Sequence, residues 1–227
     1  MNEDNKYSTE FRLNSIHSYN IDIENREIYL HSYFCDTDSE PGVDYRSAVT
    51  FQKNMRYLNS VSLEPILIHM HIPGGDWQDC LGIYDVIKSS KAKTIIVAYA
   101  KVESSSSVLL QSADLRILTA NTSFLIHYGS ISLDDEHKAA LSMVQWSEKE
   151  SNKMIDIFTE RCSNSKIFVD KNWKKMMARK HIVTQLASKR DWILNAEEAV
   201  NYGFADGVLG SKKFPNVDFL KTYIKRH

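Results

Sequence analysis

Three residue types in this chain have the makings of acyl-transfer chemistry: the serine run Ser104–Ser107, His127 and Asp191. A serine hydroxyl is a weak nucleophile at neutral pH. A serine hydrolase therefore sets it beside an imidazole base, orients that base with a carboxylate, and aims backbone N–H groups at the developing oxyanion. The serine run lies between an apolar stretch and a helical pattern, where a side chain can project from a turn. His127 ends the apolar run Ser123–Ile126, which places it at a sheet rim. Asp191 follows Lys189 and Arg190 and precedes Trp192, Ile193 and Leu194. Gly74 and Gly75 follow another apolar run, where the absence of side chains lets backbone approach a substrate. Each feature also has a plainer reading: serines cap helices, a histidine at a strand end is commonly structural, and an Asp near a helix start commonly caps it.

The elements that must position these groups are legible in the hydrophobic periodicity. Residues 21–31 alternate apolar and polar on both sides of Asn25 and Arg26, as a hairpin does. Ala48, Phe51, Met55 and Leu58 recur at helical spacing, as do Trp77, Cys80, Tyr84 and Ile87. Between those helices Pro65–Ile72 is an uncharged run closed by Pro73, Gly74 and Gly75, which predicts strand, turn, helix. Thr94–Ala100 predicts a buried strand, and the serine run opens the next helix with a serine cap. Short strands follow near residues 116–118 and 123–127. Residues 134–162 predict a long charged helix with Ala140, Val144, Met154 and Phe158 on one face. Asn195 and Glu198 have capping-box spacing for a helix running to Tyr202, which Gly203 ends. Strands alternating with helices predict an α/β domain with a largely parallel sheet.

Composition narrows the classes. The 227 residues carry 28 Lys plus Arg against 29 Asp plus Glu, a formal net charge of −1, so no nucleic-acid or anionic-membrane partner is expected. Hydrophobic residues make up 43% and charged residues 25%, which predicts one folded domain rather than a disordered chain. The run Ile95–Ala100 is far short of the ~18 residues a membrane helix needs. The polar, mixed-charge first 20 residues lack secretory-signal features, so a cytoplasmic location is expected. Cys35, Cys80 and Cys162 suit neither a disulfide framework nor a zinc site and are read as reduced thiols. His69 and His71 share a strand face, yet no further ligand completes a metal site, and neither metal nor cofactor is expected. The cluster Lys171, Lys174, Lys175, Arg179 and Lys180 is read as a solvated helix face.

Taken in order, four segments resemble the ClpP-type serine peptidases, the proteolytic subunits of the Clp proteases, and more narrowly their divergent bacterial and phage-type members. They are Ile72–Gly75, Val102–Ser107, Phe124–Gly129, and Arg190–Leu194 followed by Glu198–Gly203; the likeness runs over about residues 19–210. The resemblance implies a ClpP/crotonase-like β-α spiral with a projecting helical handle, in the region of about 130–190. It divides the chain into a polar segment 1–20 assigned to the axial entrance, a peptidase domain 21–210 and a tail 211–227. It also assigns roles: Ser104 as nucleophile, with Ser106 as the fallback, His127 as general base, Asp191 as the orienting carboxylate, and the N–H groups of Gly75 and Ser105 as oxyanion donors. The implied activity is endopeptidase cleavage of unfolded polypeptides inside a chamber of two stacked seven-membered rings, fed by an AAA+ ATPase. This chain has no Walker A pattern, in keeping with ATP being consumed by the partner. Glu103, Ser105 and Ser106 depart from the family's usual small residues around the nucleophile, which keeps a non-catalytic ring subunit as an alternative, with a crotonase-like acyl-CoA enzyme as another.

Overall fold

In the computed structural model, residues 8–32, 42–130 and 136–226 are described; Cys35 and part of the expected handle region lie outside them. The elements run α1 Thr9–Tyr19, β1 Ile21–Asp22, β2 Glu27–His31, α2 Tyr45–Val61, β3 Ile66–His71, α3 Trp77–Lys88, β4 Thr94–Ala98, β5 Lys101–Glu103, α4 Ser105–Leu110, β6 Leu115–Leu118 and β7 Ser123–Ile126. They continue with α5 His137–Cys162, α6 Lys166–Asp170, α7 Lys175–Lys189, β8 Trp192–Asn195, α8 Ala196–Asn201, β9 Gly207–Val208 and α9 Val217–Arg226.

A six-stranded sheet in the order β1-β2-β3-β4-β6-β9 forms the frame, and β5-β7-β8 form a separate three-stranded sheet. From β2 to β9 every pairing in the larger sheet is parallel; only the β1–β2 hairpin is antiparallel. Parallel strands need both faces covered, and side chains alternate between faces. On β3 and β4, Ile68, Met70, Ile96 and Ala98 face the main core, while Leu67, Ile95 and Val97 face a second one. The main core includes an aromatic cluster in which Phe124 stacks on Phe204 and meets Phe158 edge-on. The second core is closed by Phe214, Leu220 and Ile224. Residues 217–226, within the stretch read as a tail, are thus a helix that covers the outer sheet face; Lys221 anchors it to Glu27 and Lys225 pairs with Glu64. Residues 9–19 of the polar opening segment are also helical, started by the Ser8 cap and tied to β1 by the Arg12–Asp22 ion pair.

The predicted helix face Ala48, Phe51, Met55 and Leu58 is buried on α2, and the Asn195–Glu198 capping box opens α8. The long helix departs from expectation. Met154 and Phe158 on α5 are buried, but Val144 is exposed, because the N-terminal half of α5 extends past the core. Charged Arg161 on the packed half bonds the carbonyls of Gln111 and Ala113, satisfying groups at the C-terminal end of α4. Buried Arg116 pairs with Asp206 and also reaches Gln111 and the carbonyl of Gly203. These two arginines fix the short helix that carries the serine run.

Candidate active site

The three-stranded sheet explains how residues far apart in sequence meet. β5 runs parallel to β7 with Glu103 opposite Leu125, and β7 runs antiparallel to β8 with Ile126 opposite Trp192. Ser104 follows the end of β5, His127 follows the end of β7, and Asp191 precedes the start of β8. All three therefore emerge at one rim, on neighbouring strands about 4.8 Å apart. The backbone N–H of Ser104 donates to the Leu125 carbonyl, which locks the first two together.

The side chains join into a relay. Ser104 Oγ lies 2.8 Å from His127 Nε2, and His127 Nδ1 lies 3.2 Å from Asp191 Oδ1. Asp191 is presented by Arg190, which sits at φ 62° as the C-cap of α7, followed by a tight Asp191 N–H to Lys189 carbonyl bond. Its side chain is half-exposed, less sheltered than the apolar residues after it suggested.

Each of the four serines does a different thing. Ser104 occupies the cap position of α4 but makes no side-chain cap bond; its φ of 56° and ψ of −129° turn the hydroxyl toward His127. A non-glycine residue in that region is strained, and such strain concentrates at functional turns. Ser105 Oγ donates to the Gly75 carbonyl at 3.2 Å. Ser106, the fallback nucleophile, is fully buried: its Oγ accepts from the Glu103 N–H and donates to the Glu103 carbonyl, closing the β5–α4 turn. Ser107 Oγ donates to the Ser104 carbonyl. The expected serine cap is absent: none of the four hydroxyls accepts from an N–H of α4, because each is taken up by His127 or by neighbouring backbone.

The glycines set the opposite wall. Gly75, at φ 134°, bridges Val43, and a Cβ there would fall 2.1 Å from the Val43 nitrogen. A Cβ on Gly74 would meet Ser104 Cβ at 2.9 Å, so only glycine allows this approach. The Val43 N–H donates to Gly74 and the Asp76 N–H donates to Val43, which leaves the Gly75 N–H on the side facing the serine turn. Among the described residues, no acceptor engages the N–H of Gly75 or of Ser105. Glu103, whose carboxylate would oppose an oxyanion if it faced the cleft, accepts a hydrogen bond from the Ser123 hydroxyl on β7.

A cleft of about 760 Å³ opens over Ser104 and His127, walled by Trp77 of α3 and by Met143, Trp146 and Met154 of α5. The sequence reading missed this wall: Trp77 sits on the helical core spacing, and the face picked out on the long helix was Ala140, Val144, Met154 and Phe158, without Met143 or Trp146. The signal was the large apolar residues Met143 and Trp146, three apart and so on one side of the helix, in a half that the core does not bury. His69 and His71 do not form a joint site: His69 bonds Tyr99 and Glu27, while His71 is exposed. Among the described residues, no three His, Cys, Asp or Glu side chains cluster as metal ligands would. None of the described helices is long and apolar enough to cross a membrane.

Comparison with known proteins places these observations. A Listeria monocytogenes ClpP1 point mutant superposes with a TM-score of 0.62 at 20% identity, covering 84% of this chain and 95% of its own, which establishes the fold. The ATP-dependent Clp protease proteolytic subunit 2 of Pseudomonas aeruginosa is 26% identical over 174 residues, 76% of this chain and 79% of the relative. Proteolytic subunit 1 of Chlamydia muridarum is 28% identical over 178 residues, 76% of this chain and 84% of that one. The family model described as Clp protease matches residues 38–212, a span that holds β3 to β9 and all three relay side chains. By that match, and with the fold in agreement, the chain belongs to the Clp protease family.

Proposed function

We propose that this chain is a ClpP-type serine endopeptidase in which Ser104 is the nucleophile, His127 the general base and then acid, and Asp191 the group that orients His127. The observation that carries this reading is the Ser104 hydroxyl, bonded to His127 at 2.8 Å instead of capping its own helix. Ser104 Oγ attacks the scissile carbonyl carbon while its proton passes to His127 Nε2, and the carbonyl oxygen becomes an oxyanion. The N–H groups of Gly75 and Ser105 donate to that oxyanion; a single such donor is commonly worth ~10²–10³ in rate. Protonated His127 then gives its proton to the departing amine, leaving Ser104 acylated. Water, losing a proton to His127, attacks the ester, and the serine leaves with that proton restored. Asp191, accepting from Nδ1–H, keeps Nε2 free as the base and stabilises the imidazolium.

The same reading takes unfolded polypeptide as substrate, fed by an AAA+ ATPase, and copies of this chain as ring partners, seven to a ring with two rings stacked. A cytoplasmic location goes with it. Leu141 and Val144, near one another on the projecting half of α5 and about half exposed, support a contact between copies there. The Glu103–Ser123 bond supports the catalytic reading over a non-catalytic subunit, since it engages one of the three residues, Glu103, Ser105 and Ser106, that motivate that alternative.

Intact mass after fluorophosphonate treatment, with particle size by light scattering, tests the proposal. The native chain and Ser106→Ala are expected to gain one adduct on a ring-sized particle, and Ser104→Ala none. An assembled native ring that gains no adduct would overturn the peptidase reading in favour of a structural subunit.

A further inference from the structure

Trp77 and Glu150 face each other across the cleft. The indole Nε1–H of Trp77 donates to Glu150 Oε2 at 2.5 Å, joining the first residue of α3 to the projecting half of α5. That half has little else to hold it: buried side chains on α5 begin only at Met154. The Ser142 hydroxyl bonds within the helix, whereas Asn152, where the packed half begins, donates to the Glu148 carbonyl and accepts from Arg179 of α7. Among the described residues, the Glu150–Trp77 bond is the one side-chain hydrogen bond tying residues 137–151 to another element.

The tie sits at the cleft itself. Trp77 is two residues from Gly75, and Met143 and Trp146 line the cleft from the same stretch of α5 that Glu150 secures. We infer that Glu150 is a substrate-positioning residue: by holding the Trp77 indole it sets the separation of the α3 and α5 walls, and so the fit of a bulky apolar side chain of an extended peptide. This inference rests on the peptidase reading above for the direction in which the peptide lies. The relay residues stand at the ends of β5, β7 and β8 and share no hydrogen bond with either Glu150 or Trp77, so the tie acts on peptide binding and not on the attack.

The test separates binding from turnover. On a Ser104→Ala background, fluorescence anisotropy of a fluorescein-labelled peptide of about ten residues with a central Leu-Phe pair reports affinity without cleavage. Glu150→Ala is expected to weaken binding about ten-fold, the scale of one lost charge-assisted hydrogen bond at a half-exposed site. Trp77→Phe, which keeps a ring and loses the N–H, gives a similar loss, and the two together no more than either alone. Glu150→Gln, whose amide oxygen still accepts, restores most of the affinity. With Ser104 present, the same variants raise KM while kcat stays within about two-fold. Unchanged affinity in Glu150→Ala, additive effects in the double variant, no binding by the parent, or an affinity loss that accompanies a smaller particle would each overturn the inference. Failure of the peptidase reading is distinct: it is the absence of a fluorophosphonate adduct, and the anisotropy measurement does not depend on it.

Discussion

Replacing Asp191 by Asn retains the shape of the side chain and removes its charge. During attack His127 takes a proton, so a full positive charge develops 3.2 Å from the Asp191 carboxylate. Two unit charges about 4 Å apart attract by about 1 kcal/mol in water and about 4 kcal/mol at an effective dielectric of 20. Here the Asp191 side chain is 48% exposed and His127 29%, which places the pair between those limits, at about 2–3 kcal/mol. At about 1.4 kcal/mol per decade, kcat on a fluorogenic peptide falls about 30- to 150-fold, with KM little changed. That is less than the ~10⁴ lost where such an aspartate is fully buried. Asp191→Ala serves as the companion, since Asn can also donate to Nδ1 and fix the wrong tautomer; a deeper loss in Asn than in Ala isolates that effect. Both variants are measured on particles of native size. A kcat within two-fold of native would refute the role of Asp191, and a loss equal to that of Ser104→Ala would refute the electrostatic argument for its size.

Two further expectations concern stability and reactivity. Burial pushes the Glu27 carboxyl up, but hydrogen bonds from His69 and Lys221 and their charges outweigh it and hold the group at about 2, below its usual 4.5. A carboxyl depressed in the folded state contributes stability above about pH 4.5 that is lost as pH falls toward 2. The contribution is on the order of 3 kcal/mol at a side chain only 14% exposed. Urea unfolding across pH 7 to 3 should show a steeper loss in the native chain than in Glu27→Gln; equal slopes would remove Glu27 from the account of how α9 is held. Burial also raises the Cys80 and Cys162 thiols to about 12, so iodoacetamide at pH 8 should alkylate them only in denaturant. Rapid adducts at either one in the folded protein would mean that the core around α4 and α5 opens.

Much of the architecture was legible because burial imposes a period. Phe51, Met55 and Leu58 could be assigned to one helix face, and Ile95–Ala98 to a covered strand, since a two-faced parallel sheet leaves no polar alternation to mislead. The cap at Asn195 and the turn at Gly203 were legible for a local reason: hydrogen bonds three residues apart need no tertiary partner. What escaped were elements whose reason lies elsewhere in the chain. β5 is three residues long and exists because β7 pairs with it. The amphipathic α9 was passed over as a tail, and its meaning depends on an outer sheet face that only the assembled strands create.

The candidate site divides in the same way. Serine, histidine and aspartate were nameable from their chemistry and their order along the chain. Residue chemistry alone did not say which serine projects, since four adjacent hydroxyls have the same local options; the family resemblance pointed to Ser104 with Ser106 as the fallback, and the backbone turn at Ser104, the closure around Ser106 and the approach of Gly74 give the two different settings. The sequence by itself determined the residue types for acyl transfer, the strand and helix periods, and the absence of a charge excess. The tertiary structure decided that β5, β7 and β8 bring Ser104, His127 and Asp191 to one rim, that Glu103 is held by Ser123, and that Trp77 meets Glu150. Those are contacts between residues 20 to 73 positions apart, and no local pattern encodes them, because a side chain's partner across a fold is set by how whole elements pack.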